Sequence, residues 1–563
     1  MLLEKMKDAR FWQKVKTDTA YAPLLTELHR LYAEIETAPI LELPYTVMME
    51  FSRSGDRKKG EAFFSERRKM LVVSAILSLI YPEEQKYLQR TEDCLFAICN
   101  EYTWVIPAHI PDLNAYIPDF IDLTAAETGF TLAEIYTALE GRLSPLIKTR
   151  VKMEVERRIV IPFVNQKHTF YWINFHSNWA AVCAGSVGAA FMYLFPERFY
   201  EVKPLIDKAM ENFLLSYRES GYCYEGISYW EYGFGFFVSY AQLLYDFTGG
   251  KENLFDSEKV KAIATFPQKA FLSGNSLISF SDGVMEGSIS LGLWHFLADT
   301  YPDAVFPVPQ PCTSPHLAGG RWHLAVRDFL WLNPKAEKEQ PVLTDYSLDA
   351  EWLVYRTPDF GFAAKGGTNW EAHNHNDVAS FVFAVNGKQV FADLGAGEYT
   401  RQYFQEEFRY QYFNPSSRSH NVPILFGNYQ KTGGKYRANG TVYDGKTLSF
   451  DFASAYDIPE VKGLQRTFTP DKGGVTLTDE ITYAEGVTPK KGDFTERFVT
   501  LEKPVVQGNQ ILVDGVIATF TGADAPTVST ELATVLRAPN RTVYLLDFPV
   551  TGTKFTLRIE PKK

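Results

Sequence analysis

The stretch WEAHNHNDVASF, residues 370–381, places two histidines two positions apart in a chain with only 10 histidines among 563 residues. Imidazole nitrogen and carboxylate oxygen bind zinc well, at roughly 2.0–2.2 Å. His373 and His375 have further donors of that kind downstream: Asp377 in the same stretch, Asp393 at the end of the next strand pair, and His420 in SSRSHNVP. On a strand, residues i and i+2 face the same way, so His373, His375 and Asp377 would share one face. Spacing alone leaves Asp377 and Asp393 both open as the carboxylate ligand. The bland alternative is a set of ordinary histidines with hydrogen-bond partners.

A second group of polar residues lies far upstream. NFHSNWAAVCAG offers Asn174, His176 and Asn178 at the head of an uncharged segment, and GYCYEGISYWEYGFG offers Glu225, Tyr229 and Tyr232 among glycines. Taken singly, the first reads as a helix cap and the second as aromatic packing with a phenol reaching solvent.

Two kinds of element must position these groups. Residues 1–310 read as successive helices. Leu132, Ile135 and Leu139 recur at helical spacing, Ser144-Pro145 opens the next helix, and EKVKAIATFPQKAFLSG is expected to end as a helix closed by its glycine. Antiparallel helix pairs with an uncharged inner set imply a helical barrel or toroid. Residues 311–345, with PVPQPCTSPHLAGG straddling their start, read as a linker or crossover. Residues 346–563 read as strands. SFVFAVNGKQVFADLG is a hairpin turning at Asn386-Gly387, and several alternating segments follow, which implies an antiparallel β-sandwich. The fold class is therefore α+β and multidomain.

Bulk properties narrow the function. A net charge of -11 argues against a nucleic-acid surface, while leaving room for a locally basic cleft and an anionic substrate. Five cysteines without metal-type spacing point to free thiols and a reducing compartment. MLLEKMKDARFWQKVKTDTA has no apolar core of a secretory leader, and the apolar runs 70–81 and 169–195 read as buried helix rather than membrane span. The expectation is a cytoplasmic protein with no membrane or nucleic-acid partner; a homodimer is one assembly the sequence permits.

Several stretches together resemble the heparinase II/III-like polysaccharide lyases: TWVIPAH (103–109), DLTAAETGFTLAEI (122–135), SNWAAVCAG (177–185), YEGISYWEYG (224–233), HNHNDVASF (373–381), FADLGAGEYT (391–400) and SRSHNVP (417–423). The resemblance runs in order through both halves of the chain. It implies an incomplete (α/α) toroid followed by antiparallel β-sandwich layers. It also implies roles: His373 catalytic, His375, Asp393 and His420 metal ligands, Tyr229 the catalytic phenol, and Asn178 the group that neutralises the substrate carboxylate. His176 is a lesser candidate for that last role. Relatives that act on alginate add a tyrosine between the aspartate and the last histidine, for which Tyr410 is favoured over Tyr399, Tyr403 and Tyr412. Glu225, Trp370, Arg409 and Arg418 complete the candidate substrate-binding set.

The implied reaction is β-elimination beside a uronate carboxylate. Removing the C5 proton loads charge onto that carboxylate, which needs a donor such as Asn178 or a protonated histidine. A base must take the proton and an acid must protonate the departing 4-oxygen. Tyrosine ionises near 10, so cations from Arg409, Arg418 or the histidines would have to assist Tyr229. The elimination needs no metal, so the expected divalent ion, zinc first, is structural. Glycosaminoglycans such as heparan sulfate, chondroitin sulfate or hyaluronan lead as substrates; alginate or another polyuronate comes second. The rivals are a toroidal glycoside hydrolase, which needs two carboxylates across a cleft, and a non-catalytic glycan-binding protein.

Overall fold

The structure is a computed structural model, and it describes all residues except 1, 111–116, 118, 167–169, 306–313, 338–341, 537 and 563. The first part is helical. Its centre is the helix Asn178–Leu194, buried almost all round and without a single charged residue. Alanines and glycines let its neighbours come close. A Cβ on Gly188 would lie 2.7 Å from the Tyr240 ring, and one on Gly185 3.1 Å from Met210. The helices Leu123–Leu139, Phe199–Leu214 and Ile227–Phe247 pack around it. The helix Pro145–Val155 starts where expected, with Ser144 at the N-cap position and proline in the first turn, but the Ser144 side chain makes no capping hydrogen bond. The glycine-closed helix does not form: after Phe266–Ala270 the chain turns into a small hairpin, Phe271–Ser273 with Ser276–Leu277, and Gly274 sits in its turn at φ +50°.

The described part of 311–345 is not a bare linker. It holds the helices Pro315–Gly319 and Trp322–Leu330. The second belongs to the helical core, where buried Arg327 pairs with buried Glu134 at 2.9 Å. Short polar stretches between Pro and Gly looked like a connection because the apolar half of this helix begins only at Trp322.

Two large antiparallel sheets follow, one of nine strands that includes Leu343–Ser347 and one of eight, with a small two-stranded sheet of Thr368–Asn369 and Gly433–Arg437. The hairpin Phe381–Val385 and Lys388–Phe391 turns at Asn386 and Gly387, both at positive φ, as the Asn-Gly pair predicts. The nine-stranded sheet is a middle layer. Leu353, Phe362, Phe381 and Phe383 face the other sheet, while Trp352, Val354, Ala363, Val382 and Ala384 face the helices. Alternate side chains thus enter two different cores, and the strands are apolar throughout rather than alternating apolar with polar. Truncating a fully buried residue such as Phe381 would cost about 3–5 kcal/mol. Polar seams join the layers: Tyr222 donates to Asp345 and Tyr224 to the Asp349 carbonyl, each at 2.5 Å. The four described cysteines are free and buried; Cys312 lies outside the described residues. No described helix is long and apolar enough to cross a membrane.

Candidate active site and metal centre

The expected same-face arrangement of His373, His375 and Asp377 is not observed, because residues 371–380 form turns rather than a strand. His373 has φ +53° and Ala379 φ +74°, conformations that non-glycine residues adopt rarely. The turn separates the imidazoles: the His373 side chain is 23% exposed and that of His375 is fully buried. Arg409 holds this loop by donating to the carbonyls of His373 at 2.9 Å and Asn374 at 3.0 Å. Asp377 is engaged elsewhere, in a buried ion pair with Lys365 at 2.8 Å.

The two histidines meet again at a residue that sequence reasoning missed. Asp282 follows Ser281, itself at φ +60°, in a loop of the helical half. Its Oδ2 lies 2.6 Å from His373 Nδ1 and its Oδ1 3.0 Å from His375 Nε2. Tyr403 at 2.8 Å, Tyr399 at 3.2 Å and Arg409 at 3.0 Å also donate to it. Burial alone would raise this carboxyl, but the hydrogen bonds from His373 and His375 and the Arg409 charge hold it well below the usual carboxylate range. Burial would lower His373 in turn, yet the bond to Asp282 and the nearby Glu225 carboxylate raise it above the ordinary imidazole value. FSDGVMEG carries no motif that marks such a role. An Asp-Gly pair near other glycines was its only trace.

Tyr229 comes to the same place from the helix Ile227–Phe247. Its ring lies 4.6 Å from that of His373 and its hydroxyl 2.8 Å from the hydroxyl of Tyr399. Tyr399 gives its only proton to Asp282, so Tyr229 donates to Tyr399. Gly226 precedes the helix at φ +89°, and a Cβ there would lie 2.9 Å from the Cα of Gly283. A Cβ on Gly233 would lie 3.0 Å from that of Asn178. The glycines of YEGISYWEYG therefore draw Tyr229 toward both Asp282 and Asn178. Asn178, His176, Glu225 and Tyr229 line one small cleft. Glu225 is 3.8 Å from His373 Nε2, and burial raises its carboxyl. Glu225 and Asp282 thus address the two nitrogens of one imidazole and do not face each other across the cleft, so the carboxylate pair of a glycoside hydrolase is not formed by these two.

The remaining candidates divide. Tyr410 accepts from Asn374 at 3.1 Å, and it is Tyr399 that touches Tyr229. Arg409 is 7% exposed and directed at Asp282 and the loop carbonyls rather than at the cleft. Arg418 donates to Ser416 at 3.1 Å and to the Gln411 carbonyl at 2.8 Å. These bonds of the two arginines do not include Tyr229, whereas the His373 ring, whose proton affinity is raised, lies beside the phenol. Trp370 is exposed, with its side chain against Gly434.

His375, Asp393 and His420 are all buried, and each offers a ligand atom within 4.8 Å of the others. Asp393 Oδ2 lies 3.0 Å from His420 Nδ1. His375 Nδ1 and His420 Nε2 are buried with no hydrogen-bond partner, which is the state expected of imidazoles built to ligate. His375 presents Nε2 to Asp282, the carboxylate support that metal-bound histidines usually have. The donor set fits a divalent cation.

Neither a family model nor a curated protein matches the chain in sequence. Solved structures do match in fold. A heparinase III superposes with TM-score 0.59 at 11% identity, over 100% of this chain and 92% of its own. The heparan sulfate lyase HepC from Pedobacter heparinus gives 0.57 at 13%, over 100% and 87%. The Streptomyces coelicolor A3 chondroitin AC lyase, in complex with chondroitin sulphate, gives 0.58 at 11%, over 100% and 83%. The chain has the toroid-plus-sandwich fold of these polysaccharide lyases.

Proposed function

We propose that this protein is a lyase that cleaves uronic-acid-containing glycans by β-elimination, with glycosaminoglycans as the first substrate class and alginate or another polyuronate as the second. One observation carries the reading: the Tyr229 phenol from the helical ring and the His373 imidazole from the sandwich meet at 4.6 Å between ring centres, in contact with the cleft that Asn178 lines. The fold shared with heparan sulfate and chondroitin lyases supports it.

The substrate carboxylate would accept from the Asn178 amide and from His373, whose proton affinity the neighbouring Asp282 and Glu225 raise. That concentrates positive charge where the elimination generates negative charge. Tyr229, having first released its own proton to solvent, would take the C5 proton as a tyrosinate and return that proton to the departing 4-oxygen. The C5–H and C4–O bonds break, a C4=C5 double bond forms, and the leaving sugar gains a hydroxyl. A divalent cation, zinc first, would be held by His375, Asp393 and His420, where it would cross-link the loops behind His373. Asp282 and Arg409 orient His373 from beneath; Tyr399 orients Tyr229.

The test is incubation with oligosaccharides of heparan sulfate, chondroitin sulfate, hyaluronan and alginate, followed by ultraviolet absorbance. A lyase generates the conjugated unsaturated uronate. Shortened products without that absorbance would establish hydrolysis, and binding without turnover would establish a lectin-like protein.

A further inference from the structure

The two sides of His373 are built differently. On the side of Glu225 the cleft continues past Asn178 toward Tyr217 and Tyr224. On the other side the imidazole meets the edge of Phe404 at 6.1 Å. The Arg57 guanidinium lies over that ring at 5.8 Å. Arg57, paired with Glu61 at 2.7 Å, also reaches His109 at 3.4 Å, and His109 packs on Trp179 at 4.9 Å. Trp179 is the neighbour of Asn178. This series of contacts, a wall beside His373, runs from Phe404 of the sandwich loop through Arg57 and His109 to Trp179 of the helical half.

A latch backs this wall. Arg401 donates to the carbonyls of Phe51 and Ser52, its guanidinium lies over the Phe51 ring at 5.0 Å, and Lys58 pairs with Glu398 at 2.7 Å. Gly55, at φ +81°, permits the contact: a Cβ there would lie 3.1 Å from that of Arg401. The segment before the helix Lys58–Ile80, with its first residue, is thus fastened to Glu398 and Arg401 of the sandwich, close in sequence to Tyr399 and Phe404.

We propose that this wall makes the cleft blind, so that the enzyme takes a glycan by its end and releases short terminal products instead of cutting within the chain. The proposal rests on the lyase reading and adds a substrate class: anionic oligosaccharide ends. The elimination is unchanged, and the wall decides only which linkage can reach Tyr229.

Products from size-fractionated hyaluronan, heparan sulfate and alginate would be resolved by chromatography over time. The expected result is accumulation of the shortest unsaturated product from the first turnovers, with no mid-length fragments. In the Lys58→Ala/Arg401→Ala protein, which alters the latch and no group placed in the chemistry, mid-length fragments should appear. Mid-length fragments from the unaltered protein at first turnover would overturn the proposal, as would a turning-over latch variant with an unchanged product pattern. A second measurement does not depend on turnover. The Tyr229→Phe protein should bind long and short chains in proportion to the number of ends. Binding in proportion to total sugar would refute end recognition even if the lyase reading stands. No unsaturated product from the unaltered protein, together with end-proportional binding by the Tyr229→Phe protein, would refute the lyase reading alone.

Discussion

Asp282 Oδ2 lies 2.6 Å from Nδ1 of His373, across 91 residues and between the helical and the strand-built halves of the chain. The carboxylate is an obligate acceptor, so it assigns the proton on Nδ1 and leaves Nε2 facing the cleft.

Asp282→Asn should therefore keep the shape and lose the charge that holds His373. Turnover should fall by about 10²–10⁴, with substrate binding reduced less. The same change weakens the support of His375, and metal affinity should fall by about 10–100-fold. Steady-state kinetics and metal titration on one protein read both effects. Unchanged turnover would remove Asp282 from the site.

Tyr229→Phe removes the phenol while keeping the ring against His373. Turnover should fall by about 10²–10⁴, with oligosaccharide affinity nearly intact by calorimetry. Tyr399→Phe, which removes the acceptor for Tyr229 and one donor to Asp282 while leaving both of those residues in place, should give a smaller loss.

Elemental analysis should find one divalent ion per chain, zinc above others, absent from His375→Ala and His420→Ala. Chelation should lower the melting temperature and slow turnover through the loops that carry His375 and His420. A fully active, equally stable metal-free protein would refute the structural role.

Arg466 lies fully buried between Asp479 at 2.5 Å and Glu496 at 3.1 Å. It also donates to the carbonyls of Ala379 and Asn421, both at 2.7 Å, tying together the loops that carry His375 and His420. Arg466→Met should destabilise the protein by about 3–5 kcal/mol in urea unfolding, because two carboxylates stay buried without their cation.

Much of this was legible in the chain. Asn386-Gly387 marks the hairpin, alternating segments mark the later strands of the sandwich, and an uncharged Ala/Gly-rich segment marks the helix Asn178–Leu194. His375, Asp393 and His420 were found by residue type and resemblance, and their side chains converge. Other features were not legible because they arise only from distant approach. The backbone at His373 departs from a strand, which local alternation cannot reveal. Asp282 gains its role from partners between 91 and 127 positions away. Arg409 and Arg418 looked like ligands for an anion because charge is visible in a sequence and the direction of a side chain is not.

Gly283 lies pressed between Gly226 of the helical half and Gly395 of the sandwich; a Cβ on the first would lie 2.9 Å from its Cα, and one on the second 2.0 Å from its carbonyl oxygen. Backbone therefore touches backbone on both sides of the residue next to Asp282. A single methyl group at position 226 or 395 acts as a wedge, displacing phenol from imidazole without altering either. Misplacement of reacting groups by about 1 Å can cost on the order of 10²-fold in rate, so the tolerance of this machine is set by three residues that have no side chain to contribute.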